Sequence, residues 1–106
     1  MIQRIWHGYT TPDNADAYEA LLKKEVFEGI KAKNIHGFKG MQLLRKSNAN
    51  EVAFITIMSF DNIDAVKQFA GEDYEQAYVP AEAREILSRF DDKAQHYELV
   101  HQFSIE

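Results

Sequence analysis

The sequence predicts an α+β sandwich: a four-stranded antiparallel sheet with helices on one face, in the element order β-α-β-β-α-β. Three observations predict it. Glu51 to Phe60, EVAFITIMSF, is rich in β-branched and aromatic residues and free of Gly and Pro, which is strand composition. Thr11-Pro12-Asp13 is a helix start, followed by apolar residues at three- and four-residue spacing. Ser47-Asn48-Ala49-Asn50 is a polar turn between two apolar runs, which closes a hairpin in mid-chain.

The chain opens with Met1 to Tyr9 as the first strand. Ile5, His7 and Tyr9 share one face; Ile2, Arg4 and Trp6 share the other. Thr11 then serves as N-cap, Pro12 suits the first helical position, and Asp13 favours the positive end of the dipole. Ala15, Tyr18, Leu22, Val26 and Ile30 form the apolar stripe, widened by Leu21, and the helix ends near Lys33-Asn34. Phe38 to Lys46 is the second strand, in which Gly40 marks a bulge or a close backbone approach.

Glu51 to Phe60 is the third strand. Val52, Phe54, Thr56, Met58 and Phe60 fall on one face, and Ala53, Ile55, Ile57 and Ser59 on the other. Both faces are mostly apolar, whereas a sheet with one solvated face alternates apolar with polar. The chain has helices for one face only, so a second copy of the protein is expected to cover the other. Asp61 is read as the cap of a second helix with Ala65, Val66 and Phe69 buried and Gly71 as its end. Glu72 to Val79 is read as a short helical turn. Pro80 restarts a helix that packs Ile86, Leu87 and Phe90 inward and breaks at Asp91-Asp92, and Gln95 to Phe103 is the last strand. This order is the ferredoxin-like, or split βαβ, plan, with strands in the spatial order 4-1-3-2.

Composition narrows the function. A chain of 106 residues reads as one domain, residues 1–106, with roughly two-thirds of its unfolded surface buried. The net charge is −5 and no basic cluster stands out, so nucleic-acid binding is disfavoured. The absence of cysteine removes disulfides, thiolate metal sites and cysteine nucleophiles. No signal peptide or membrane span is read, and a cytoplasmic location is the default expectation.

Four stretches carry a resemblance. They are Arg4-Ile5-Trp6-His7-Gly8, the run from Gly37 to Arg45, Ile57-Met58-Ser59-Phe60 with Asp61 and the Ala65 helix, and Gln95-His96-Tyr97-Glu98. With them the chain resembles the antibiotic biosynthesis monooxygenase family of the dimeric α+β barrel group. The resemblance implies a homodimer whose two sheets form a barrel. Some members of that family oxidise polycyclic phenols or hydroquinones with no metal or flavin, and others degrade haem. Haem-degrading members use a strand-one Asn, a Trp at the end of strand three and a helix-two His. By position these fall near Trp6 or His7, on Phe60 and on Tyr78, and none of the three types is retained. That counts against haem degradation.

A cofactor-free oxygenation needs an apolar pocket, a base for a phenolic proton and a donor for the resulting anion. A neutral imidazole is the natural base. His7 is the first candidate, lining the space under the helices if its strand face looks inward; the bland alternative is a part-buried histidine bonded to backbone. His96 is the second, brought towards His7 if the last strand pairs with the first. Tyr78 is the candidate donor to a substrate oxygen, with Tyr74 and Tyr9 behind it. Trp6, Phe54, Met58 and Phe60 are read as an apolar wall for a small aromatic ligand, or else as plain core. Arg84 is read as a solvated helix residue. His96 and Glu98 two apart, with His7, are the one conceivable metal set, at a spacing common by chance, so neither a metal nor a cofactor is expected.

Overall fold

The computed structural model describes residues 1–105. In chain order it has β1 (Ile2–Thr10), α1 (Pro12–Leu21), a π turn (Leu22–Val26), α2 (Phe27–Ala32), β2 (Phe38–Ser47), β3 (Val52–Phe60), α3 (Ile63–Ala70), α4 (Ala81–Ile86), β4 (Arg89–Phe90) and β5 (Gln95–Glu98). The antiparallel sheet runs β2-β3-β1, and both β4 and β5 lie on the far edge of β1. That is the 4-1-3-2 plan with its edge strand split in two. The helices lie on one face of this ferredoxin-like sheet.

Register decides which residues face them. Ile2 pairs with Phe60, Arg4 with Met58, Trp6 with Thr56 and Gly8 with Phe54. On that face Arg4, Gly8, Thr10, Val52, Phe54, Met58 and Phe60 are buried. The alternate face carries Ile5, His7, Tyr9, Ala53, Ile55 and Ile57, all part-exposed, and no described element of the chain covers it. The core under the helices falls into two clusters. Ala15, Tyr18, Leu22, Val52, Phe54, Val79, Ala83 and Leu87 form one; Met58, Phe60, Ala65 and Val66 form the other.

Local signals explain most boundaries. The Thr11 side chain accepts from the Asn14 amide, and Pro12 occupies the first turn. The β2–β3 register shifts between Phe38 and Gly40, so Gly40 is the bulge its position suggested. Gly71, at φ 89, ends α3.

Five boundaries differ from the sequence reading. The first helix widens into a π turn at Leu22–Val26 rather than running as plain α-helix. The cap of α3 is Asn62, not Asp61. The Asp61 amide is still tied to the Gly37 carbonyl at 2.8 Å, so the helix starts a residue later, with the Asn62 side chain accepting from Ala65. Glu72 to Val79 is not helical. It makes one turn bond, Gln76 N to Asp73 O, and its backbone then bonds across the chain, Ala77 N to Asp92 O and Ala94 N to Glu75 O, so the turn does not continue as helix. α4 stops at Ile86 rather than at Asp91, because the chain turns back to β1, where the Ser88 and Asp91 amides donate to the Tyr9 and His7 carbonyls. The last strand ends at Glu98 rather than Phe103. Glu98 already pairs with Ile2 and the Leu99 amide takes the Met1 carbonyl, so β1 has nothing left to offer.

Candidate functional site

Between the two core clusters the helical layer stands off the sheet and leaves a cavity of about 480 Å³. This is within the size range of small-ligand sites. The π turn and α2 form its roof through Leu22, Val26, Phe27 and Ile30. π turns that interrupt helices are frequently found at functional positions. The sheet supplies the floor, Arg4, Trp6, Thr56 and Met58, and residues 76–80 close one side.

Trp6 is fixed from two directions. Its indole N–H donates to the Asp91 carbonyl at 2.7 Å. Its ring lies across Gly8, where a Cβ would sit 2.9 Å from the ring carbons. Gly8 is therefore a space requirement: any side chain there displaces the indole. Thr10, fully buried, donates to the Ile86 carbonyl at 2.6 Å and ties the end of α4 to the same strand.

Arg4 is the charged group of the floor and is 5% exposed. Its guanidinium donates to the Tyr74 and Gln76 carbonyls and lies 3.0 Å from the His96 Nε2. Burial holds its pKa below the ordinary arginine value. The geometry makes His96 the acceptor, in its neutral form. Burial first, and then the Arg4 charge, hold the His96 pKa below its ordinary 6.5, while Glu75 acts weakly the other way. Tyr18 also lines the cavity and is 1% exposed; burial pushes its phenol upward, with no hydrogen bond contributing.

The expected site residues separate into three groups. Trp6, Met58 and Tyr78 line the cavity, with Tyr78 at its mouth, 79% exposed. Phe54 and Phe60 are fully buried outside it: Phe54 packs edge-on to Tyr18, and Phe60 lies between Phe38 and Phe69. Tyr74 stacks edge-on against His96 and reaches the site through its carbonyl rather than its ring.

His7 and Tyr9 lie on the open face of the sheet, not under the helices. The His7 Nδ1 is 3.0 Å from Asp91 Oδ2, and the Arg89 guanidinium lies 3.7 Å from the centre of the Tyr9 ring. His96 pairs with Arg4 in the β1–β5 ladder, so the two histidines point to opposite sides and do not meet. Among the described residues no three His, Asp or Glu side chains converge on a metal-sized site. No described helix is long and apolar enough to cross a membrane. Sequence reasoning passed over Arg4. The available signal was an arginine on a strand face otherwise occupied by Ile2 and Trp6.

No family model matches the chain, and no curated protein matches its sequence. Solved structures do match. A provisionally assigned antibiotic biosynthesis monooxygenase from Bacillus cereus superposes with a TM-score of 0.71 at 11% identity, over 100% of this chain and 97% of that one. The Mycobacterium tuberculosis protein Rv0793 gives 0.62 at 18% identity, over 97% and 98%. The Mycobacterium tuberculosis haem degrader MhuD, solved with two haems in its active site, gives 0.59 at 19% identity, over 98% and 100%. The likeness is one of fold. It links the chain to the ferredoxin-like architecture of these proteins across nearly its whole length.

Proposed function

We propose that the protein is a cofactor-independent monooxygenase that oxidises a small, planar phenolic substrate of the anthrone or hydroquinone type with dioxygen, acting as a homodimer. The observation that carries this reading is the cavity: apolar walls around Trp6, Phe27 and Met58 and the Arg4 guanidinium at the floor, with His96 outside the lining and 3.0 Å behind that guanidinium. Fold neighbours that include an assigned monooxygenase and a haem degrader support an oxidative role. The part-exposed Ile5, Ile55 and Ile57 on the open face support a second copy as its cover.

In the proposed reaction a ligand hydroxyl binds beside Arg4 and takes the guanidinium's place at the His96 Nε2, whose one lone pair otherwise accepts from Arg4. The imidazole takes its proton, and the oxyanion remains against the guanidinium. The electron-rich anion then reduces dioxygen. One oxygen atom enters the substrate carbon, which goes from CH₂ to C=O in an anthrone, and the other leaves as water. Trp6 and Met58 exclude solvent, Phe54 and Phe60 support the floor from behind, and Tyr78 donates to ligand oxygen at the mouth.

Oxygen consumption by metal-stripped protein, measured against anthrones and hydroquinones with spontaneous autoxidation subtracted, tests the reading. Saturable uptake above background is expected. Saturable binding without uptake would instead mark a non-catalytic ligand-binding protein, and a Soret band on hemin titration would favour haem.

A further inference from the structure

The four arginines of the chain are treated differently. Arg45 is paired with Asp16 and Glu19, and Arg89 holds Glu51 through two nitrogens. Arg84 donates to the Val79 carbonyl beside Phe90. Arg4 is buried, and its partners are two backbone carbonyls and one imidazole; among the described residues no carboxylate pairs with it. Buried charges are ordinarily paired, because desolvation of a lone ion is costly. Here the counter-ions go to Arg45 and Arg89; Arg84 has none but is exposed to water, and Arg4 is left both buried and without one, at the floor of a cavity of ligand size.

A second cation stands at the same end. The Arg4 guanidinium and the Lys33 ammonium lie 5.5 and 5.4 Å from the centre of the Phe69 ring, and Lys33 also lines the cavity. The carboxylates among the lining residues, Glu25 and Glu82, are exposed to solvent. Tyr18, buried as a residue, also lines the cavity. Lys33 is exposed like Glu25 and Glu82, so water screens all three of these charges, and the buried polar residues of the lining are Arg4 and Tyr18, a cation and a phenol.

We infer that the cavity is built for an anion: an acidic planar aromatic, carrying a carboxylate or a hydroxyl acidified by conjugation, bound with its ionised oxygen on Arg4. This deepens the oxygenase reading by naming its substrate class, and it rests on that reading only for the chemistry, not for the binding. The guanidinium meets such an oxygen with parallel N–H donors, which a neutral group of the same shape cannot match. The exposed Lys33, Glu25 and Glu82 are screened by water, and Tyr18 has a donor to give.

The test is calorimetric titration with 2-naphthoate and 2-naphthamide, which share rings and shape and differ by one charge. Quenching of Trp6, the one tryptophan of the chain, is the second readout. At least a tenfold preference for the carboxylate is expected. Arg4→Gln should bring the two ligands within about twofold of each other while amide binding persists. Arg4→Lys, which keeps the charge but not the fork, should retain part of the preference. If the glutamine variant does not fold, the wild-type pair and the lysine variant still decide. Equal affinity for the two ligands, binding of neither, or a preference that survives Arg4→Gln overturns the inference. Anion preference without oxygen uptake would remove the oxygenase and leave the anion site standing; uptake without anion preference would do the reverse.

Discussion

The two faces of the sheet draw on the same residue types to different ends. Each has a histidine, arginine and a set of large apolar side chains. Under the helices, Arg4 and His96 meet at 3.0 Å, and burial, then the Arg4 charge, hold the imidazole pKa below its ordinary value. On the open face, His7 meets the Asp91 carboxylate and Arg89 lies over Tyr9, all within reach of water. The apolar residues differ likewise: Phe54 and Phe60 are sealed, while Ile55 and Ile57 are half-covered. The difference teaches that a site is made by what a residue is packed against. His96 sits against a buried guanidinium, whereas His7 sits against a half-exposed carboxylate.

The sharpest way to break this contrast is to delete a large side chain from each face. Phe54→Ala removes a fully buried ring from the helix side and is expected to lower unfolding stability by about 3–5 kcal/mol. Chemical denaturation measures it, and a loss below about 1 kcal/mol would mean that this face is not the packed one. On the open face, Ile57→Asp should preserve far-UV circular dichroism yet shift sedimentation from dimer to monomer. A variant that still sediments as dimer would place the contact between copies elsewhere.

A smaller effect sharpens the electrostatic half. Because the folded pKa of His96 lies below 6.5, the unfolded chain binds the proton more readily. His96 should therefore cost nothing above about pH 6.5 and destabilise the fold as pH falls below that value towards its folded pKa. The slope is shallow, since the ring is partly exposed and screened. Denaturation midpoints across pH 5 to 7.5 should flatten in His96→Gln. An unchanged slope would detach His96 from the Arg4 charge.

Much of the fold was legible. Thr11 and Pro12, the bulge at Gly40, the stop at Gly71 and the two-sided apolar strand each follow from local chemistry. What was not legible depends on distant backbone. The carbonyls that hold Arg4 come from Tyr74 and Gln76, seventy residues on, in a segment that looks helical but bonds to residues 92–94. No pattern in Leu22–Val26 announces the π turn that roofs the cavity.

Strand parity was the other gap. Ile5 and Tyr9 make the His7 face of β1 look like the inner one. The deciding residues are Gly8, which leaves room for the indole, and Thr10, buried on a helix carbonyl. Small and hydroxyl residues mark the packed side here better than aliphatic ones do. The same parity accounts for the passing over of Arg4, which shares the Ile2 and Trp6 face rather than the His7 face.

The central claim is that chemistry belongs to the cavity under the helices and to the histidine on that side. Oxygen uptake on an anthrone substrate, compared between His96→Gln and His7→Gln, tests it most directly. The account predicts saturable uptake by the unaltered protein, at least a tenfold fall in turnover for His96→Gln, and turnover within about twofold of the parent for His7→Gln. Loss of uptake in His7→Gln with retention in His96→Gln would contradict it and move the site to the open face.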